Sequence, residues 1–157
     1  MISATTKSRL AILLSIVTIV TIVLINADVS SAQSTTALPQ PSLMFIGPEF
    51  YQANGKSWIR YRYAVDNRTA FPDTLFAAAP QLAPCGSNTR ASRTWIDFYD
   101  STGKRLYGFC ALGKSSDLAS LWFAMEVDVI PPSWVYIELN DRQTNTKYKS
   151  NLAETTP

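Results

Sequence analysis

The chain has 157 residues, with fourteen basic and twelve acidic side chains, no histidine, 46% hydrophobic residues and a formal charge of +2. So slight an excess of positive charge gives no basic footprint for nucleic acid. The lack of histidine excludes Ser-His-Asp and Cys-His catalytic units built within the chain, and with them histidine-dependent metal sites.

Lys7 and Arg9 precede an apolar run from Leu10 to Ile25, and small polar residues follow it. That is the layout of a secretory signal. Ser30 and Ala32 put small residues where a signal peptidase reads them, so cleavage is expected before Gln33. The run is slightly short for a membrane span of about 20 residues, and anchoring by residues 10–25 is the alternative. No cysteine lies near the cut, which argues against a lipid-modified terminus. Residues 1–32 are thus read as a signal peptide and the rest as an exported, periplasmic or extracellular, soluble protein. Removal of Lys7, Arg9 and Asp28 leaves twelve basic and eleven acidic residues in 125, the size of one domain.

Residues 33–42, QSTTALPQPS, read as a flexible lead-in, and residues 152–157 as a tail of similar character. Between them, over residues 43–151, hydrophobic residues alternate with period two, the mark of half-buried strands. In SWIRYRYAVDN, Ile59, Tyr61, Tyr63 and Val65 share the face expected to be core, and Trp58, Arg60 and Arg62 share the other. Asn54 and Gly55 predict a type I′ hairpin turn joining this strand to one around Phe50. Pro72, Pro80 and Pro84 interrupt the next stretch, which reads as a long ordered loop.

TWIDFYDSTGKRLYGFCAL reads as two strands about a turn at Asp100 to Lys104, with Trp95 expected to be buried. DLASLWFAMEVDVI fits either a helical face or a strand. The strand explains more positions, with Leu121, Phe123, Met125, Val127 and Val129 inward, after a short helical turn capped by Ser116 or Asp117. SWVYIELND then points Val135, Ile137 and Leu139 inward, and TKYKSN returns as the last strand.

Cys85 and Cys110, in a chain sent to an oxidising compartment, are expected to pair. Closing a loop of about 25 residues is worth roughly 3–4 kcal/mol on the chain-entropy model. The stretch GFCALGKS matches the phosphate-binding pattern G-x-x-x-x-G-K-[ST]. Its middle reads as an apolar strand end, and the chain lacks the alternating strand and helix order of nucleotide-binding sheets, so no nucleotide partner is expected. Asp97 and Asp100 complete no calcium or paired-acid set. Asn67, Arg68 and Thr69 form an N-x-[ST] triplet.

The pieces CGSNTRASRTW, YGFCAL, SLWFAM and VYIELNDR resemble small exported bacterial proteins or modules of uncharacterised activity, over about residues 43–151. The resemblance implies only that Cys85 and Cys110 belong to one unit with Arg93 and Trp95. The fold expected from the strand pattern is an all-β sandwich of immunoglobulin or fibronectin type III style, with about six or seven strands and one disulfide. The function expected is a non-enzymatic binding or structural module whose partner is an envelope or extracellular protein or glycan, with no cofactor and no metal. Candidate binding residues are Arg90 and Arg93 on the long loop and Trp58, Arg60 and Arg62 on the first hairpin. One alternative is a carbohydrate-binding module with exposed aromatics such as Trp58. The least supported is a secreted enzyme using a carboxylate such as Asp97.

Overall fold

In the computed structural model, which describes residues 37–83, 92–109 and 113–155, Asn54 and Gly55 take positive φ angles of 53° and 73°. They reverse the chain between β1 (Leu43–Ala53) and β2 (Lys56–Val65), the two-residue turn that fits the right-handed twist of the flanking strands. β3 (Thr94–Asp100) and β4 (Arg105–Phe109) form the second hairpin, with Gly103 at φ 88° in its turn. The chain continues through β5 (Leu121–Glu126), β6 (Trp134–Asp141), β7 (Thr146–Lys149) and β8 (Ala153–Glu154).

These strands make two sheets. One has the order β1-β2-β5; the other runs β4-β3-β6-β7, with β8 sharing the β7 edge of β6. All named pairings are antiparallel. Lettered in chain order as A, B, C, C′, E, F and G, the sheets become ABE and C′CFG, the distribution of an immunoglobulin-like sandwich. Among the described residues there are eight strands rather than six or seven. The additional strand comes from Ala153 and Glu154, where a loose tail was expected. Ala153 is buried, and Thr155 donates its amide to the Ser133 carbonyl.

Tyr61, Tyr63 and Val65 of β2 and Leu121 and Phe123 of β5 face Ile96 and Phe98 of β3 and Val135, Ile137 and Leu139 of β6, all buried. At the centre, Phe98 lies 5.5 Å from the Tyr63 ring and 5.4 Å from Phe123, and these two are 5.9 Å apart. Burial raises the Tyr63 hydroxyl to about 12, so it stays protonated. The long loop adds two 3₁₀ turns, Arg68–Ala70 and Asp73–Phe76, and places Phe71, Leu75 and Phe76 in the same core. Toward the first hairpin turn the inner face loses its cover, and Phe50, opposite Ile59, is 69% exposed.

Several expectations are corrected. Among the described residues there is no disulfide, and Cys85 and Cys110, which were expected to clip the sandwich, lie outside them. The described part of the long loop is instead tied to the β6–β7 turn. Arg142 donates its amide to the Arg93 carbonyl, and its guanidinium donates to the carbonyls of Ser92 and Ala83. Trp95 is not core: the alternation that buries Ile96 and Phe98 turns it outward, where it is half-buried. Val127 and Val129 lie beyond the end of β5 and are exposed, because the strand stops at Glu126. The 3₁₀ turn Ser115–Ala119 begins at Lys114, with Asp117 accepting backbone amides.

Two asparagines fasten the entry to β1. Asn67 accepts the Ser42 amide at 2.8 Å and donates to the Gln40 carbonyl at 2.9 Å. Asn151 accepts the Leu43 amide and donates to the Leu43 carbonyl, imitating a neighbouring strand. Each satisfies backbone groups that would otherwise lie unpaired at a partly buried edge.

Phenylalanines at two strand positions should therefore behave differently. Phe98→Ala is expected to cost about 3–5 kcal/mol in urea unfolding, as a cavity in a packed core does. Phe50→Ala should stay within about 0.5 kcal/mol; equal losses would contradict the described packing.

Candidate functional site

The alternation of β2 that buries Tyr61 and Tyr63 sends Trp58, Arg60 and Arg62 to the outer face of the β1-β2-β5 sheet. The hairpin register sets Tyr51 across from Trp58 and Glu49 across from Arg60 on one side. On the other, β5 sets Glu126, Ala124 and Trp122 across from Trp58, Arg60 and Arg62. The Arg60 guanidinium lies 4.9 Å from the Tyr51 ring centroid and 4.6 Å from that of Trp122. Trp122 in turn stacks on Tyr107 of β4 at 5.8 Å and 23°, so the row of rings crosses from one sheet to the other.

A guanidinium between two rings is attracted to both π faces and is held flat against them. Glu49 accepts from Arg60 at 3.3 Å and approaches Arg62 at 3.8 Å, while Lys56 pairs with Glu126 at 2.5 Å at the hairpin end. Arg62 remains half exposed. Two N–H groups on this face, Trp58 Nε1 and Arg60 Nε, are removed from solvent and have no hydrogen-bond partner among the described residues. Hollows of about 260 and 310 Å³ flank the ladder, one beside Arg60 and Trp122, the other beside Tyr51 and Trp58.

The structure thus brings together three of the five candidate binding residues, Trp58, Arg60 and Arg62. Arg90 lies outside the described residues. Arg93 is engaged in the scaffold: its Nε and Nη2 donate to both oxygens of Asp141, at 2.8 and 2.6 Å, across the base of the long loop. Asp141 is 2% exposed and also accepts from the Gln143 amide and the Thr144 hydroxyl.

The alternative site residue Asp97 is likewise occupied. Its Oδ1 accepts from Trp95 Nε1 at 2.8 Å and Arg105 Nε at 2.6 Å, and its Oδ2 accepts from Asn140 at 3.1 Å. Gly108 lies beneath this knot. A Cβ there would come within 2.0 Å of Arg105, 2.3 Å of Asp97 and 2.8 Å of Trp95, so only glycine leaves the space. Asp100 organises the β3–β4 turn, accepting from the amides of Thr102 and Lys104 and from the Thr102 hydroxyl. Among the described residues no group of three or more Cys, Asp or Glu side chains can hold a metal.

The phosphate-loop pattern has no cradle in its described part. The amides of Gly113 and Lys114 donate to Asp117, and the amide and hydroxyl of Ser115 donate to Asp73. Carboxylates of the protein hold the donors that a phosphate would require.

Tyr51, Glu49 and Tyr107 were not singled out in the sequence. The first two could have been: counting back equally on both sides of the Asn54–Gly55 turn pairs Tyr51 with Trp58 and Glu49 with Arg60. Nothing local signals Tyr107, which meets Trp122 only through the stacking of the two sheets.

Comparison with protein-family models, with curated proteins and with solved structures finds no match to the chain. The resemblance to small exported bacterial proteins rests on its sequence pieces alone. Among the described residues no helix is long and apolar enough to cross a membrane.

The Arg93 pair makes stability pH-dependent. Hydrogen bonds from Arg93, aided by Thr144 and the Gln143 amide and opposed by burial, lower Asp141 from 3.8 to about 2. A carboxyl whose folded pKa is depressed stabilises the fold above its unfolded pKa, and that stability is lost as pH falls toward the folded value. The contribution is about 2 kcal/mol, disappearing between about pH 4 and pH 2. Arg93→Ala should destabilise the protein by about 3–5 kcal/mol at neutral pH, by leaving a buried carboxylate unpaired, and should flatten this acid limb. Urea titrations across that pH range check both; an unchanged midpoint in Arg93→Ala would show that the pair does not support the fold.

Proposed function

We propose that this small all-β sandwich is a non-enzymatic binding module of the cell envelope or extracellular space, and that it docks a protein on the outer face of the β1-β2-β5 sheet. The observation that carries the reading is Arg60 held between Tyr51 and Trp122, with half-exposed Arg62 and Trp58 beside it. Tryptophan, tyrosine and arginine are the side chains that most often dominate protein-binding energies, and a guanidinium already held flat loses little freedom on docking. Trp58 Nε1 and Arg60 Nε, buried without a partner at a cost in the free domain, gain an acceptor on the partner if docking shifts either side chain outward.

The same geometry disfavours a sugar platform here. Stacking on a pyranose needs an open ring face, and Arg60 occupies Tyr51 and Trp122 while Tyr107 stacks on Trp122. The exported location rests on the signal-like segment Lys7 to Ala32.

A photo-crosslinking amino acid placed at position 62 in the intact host should give one dominant protein adduct. The same group at position 149, on the opposite sheet, should not. Trp58→Ala should reduce the position 62 adduct several-fold with the fold intact. Equal adducts from both positions, or indifference to Trp58→Ala, would reject this face as the docking surface.

A further inference from the structure

On the opposite sheet, cross-strand register lines up Trp95 of β3, Asn140 of β6 and Lys147 of β7 in one row. Between this row and the β6–β7 turn lies a groove of about 330 Å³, walled by Trp95, Asp97, Asn140, Asn145, Thr146 and Lys147. That volume is at the lower end of small-ligand sites, roughly 300–1,000 Å³.

Its chemistry is specific in three respects. First, the charged groups that border it already have partners: Asp97 has Arg105, Asp141 has Arg93, Lys147 has Glu138, and Arg142 has the carbonyls of Ser92 and Ala83. A ligand need bring no charge.

Second, acceptors are in surplus. Asn140 must turn its Nδ2 toward the Asp97 carboxylate, where it donates at 3.1 Å, and this directs its Oδ1 the other way. That Oδ1 is buried and has no partner among the described residues. Asp97 Oδ2 accepts only the one long bond from Asn140 among the described residues, whereas its Oδ1 accepts two short ones. A ligand should therefore bring donors.

Third, Trp95 offers a ring and nothing else, because its Nε1–H is committed to Asp97. Arg105, carried by β4, lies over the indole at 5.7 Å, while the groove wall beyond β3 comes from β6, β7 and the turn between them. An apolar wall is left next to unsatisfied acceptors.

We propose that this groove binds a neutral carbohydrate. A pyranose is uncharged, carries several hydroxyl donors, and has an axial C–H face that packs against an indole. Its hydroxyls donate to Asp97 Oδ2 and, with a small shift of the side chain that uncovers it, to Asn140 Oδ1, while its C–H face covers Trp95. The site is separate from the protein-docking face and does not depend on it.

The test is amide and indole NMR of the whole protein titrated with maltose, cellobiose and diacetylchitobiose, with glucuronate and an end-blocked glycine tripeptide as contrasts. At least one neutral disaccharide should shift the Trp95 indole and Asn140 side-chain signals at millimolar concentration while those of Trp58 and Trp122 stay still. Asn140→Ala should weaken that titration about tenfold, the loss of an acceptor and its orienting bond. If that variant does not fold, the map of shifts on the unaltered protein decides alone. Shifts confined to Trp58 or Trp122, no shift with any disaccharide, equal response to glucuronate, or binding of the peptide alone would each overturn the assignment.

Discussion

Phe98 rests against Tyr63 and Phe123 from the facing sheet, and the alternation of every strand around it is fixed by that contact. A strand has only two faces, so once Phe98 points inward, Trp95, Asp97 and Tyr99 must point outward. Tyr63 imposes the same on Trp58, Arg60 and Arg62. A slip of one residue in β2 or β3 would bury arginines and carboxylates and expose the rings. The composition of both outer surfaces is thus a corollary of how the core closes.

Both outer surfaces pair aromatic rings with cations, but to different ends. On the β1-β2-β5 sheet, Arg60 lies between Tyr51 and Trp122, and an exposed arginine stands beside it. On the other, Lys149 sits 3.9 Å above Tyr136, which stacks on Tyr99 at 5.2 Å, and Arg105 is pinned by Asp97. The first arrangement keeps donors without acceptors; the second keeps acceptors without donors. A cation over each group of rings also lowers the apolar area these faces present to water, which limits indiscriminate association.

Much of this architecture was legible because it rests on local chemistry. The Asn54–Gly55 turn, the inward sets on β2 and β6, and the strand at Leu121–Glu126 all follow from periodicity and turn residues. What was not legible depends on partners distant in the chain. Trp95 reads as core because sandwiches of this kind bury a tryptophan on the third strand, yet its neighbours Ile96 and Phe98 take the inner positions. Ala153 and Glu154 carry no strand pattern of their own and are recruited by the free edge of β6. Arg93 looks like a loop residue until Asp141, 48 positions later, is brought beneath it. The three clustered site residues were found because they share one strand; Tyr107, on another sheet, had no such signal.

The attachment of the lead-in at Asn67 has a bearing on the triplet to which that residue belongs. The side-chain nitrogen of Asn67 is the atom an N-linked sugar would be joined to, and in the fold it donates to the Gln40 carbonyl. The oxygen of the same amide receives Ser42. A sugar joined there replaces one of the two hydrogens on that nitrogen, which leaves the other to hold Gln40 and the oxygen to hold Ser42. In a host able to modify this triplet, the entry strand would stay fastened only if the remaining hydrogen kept its direction toward Gln40.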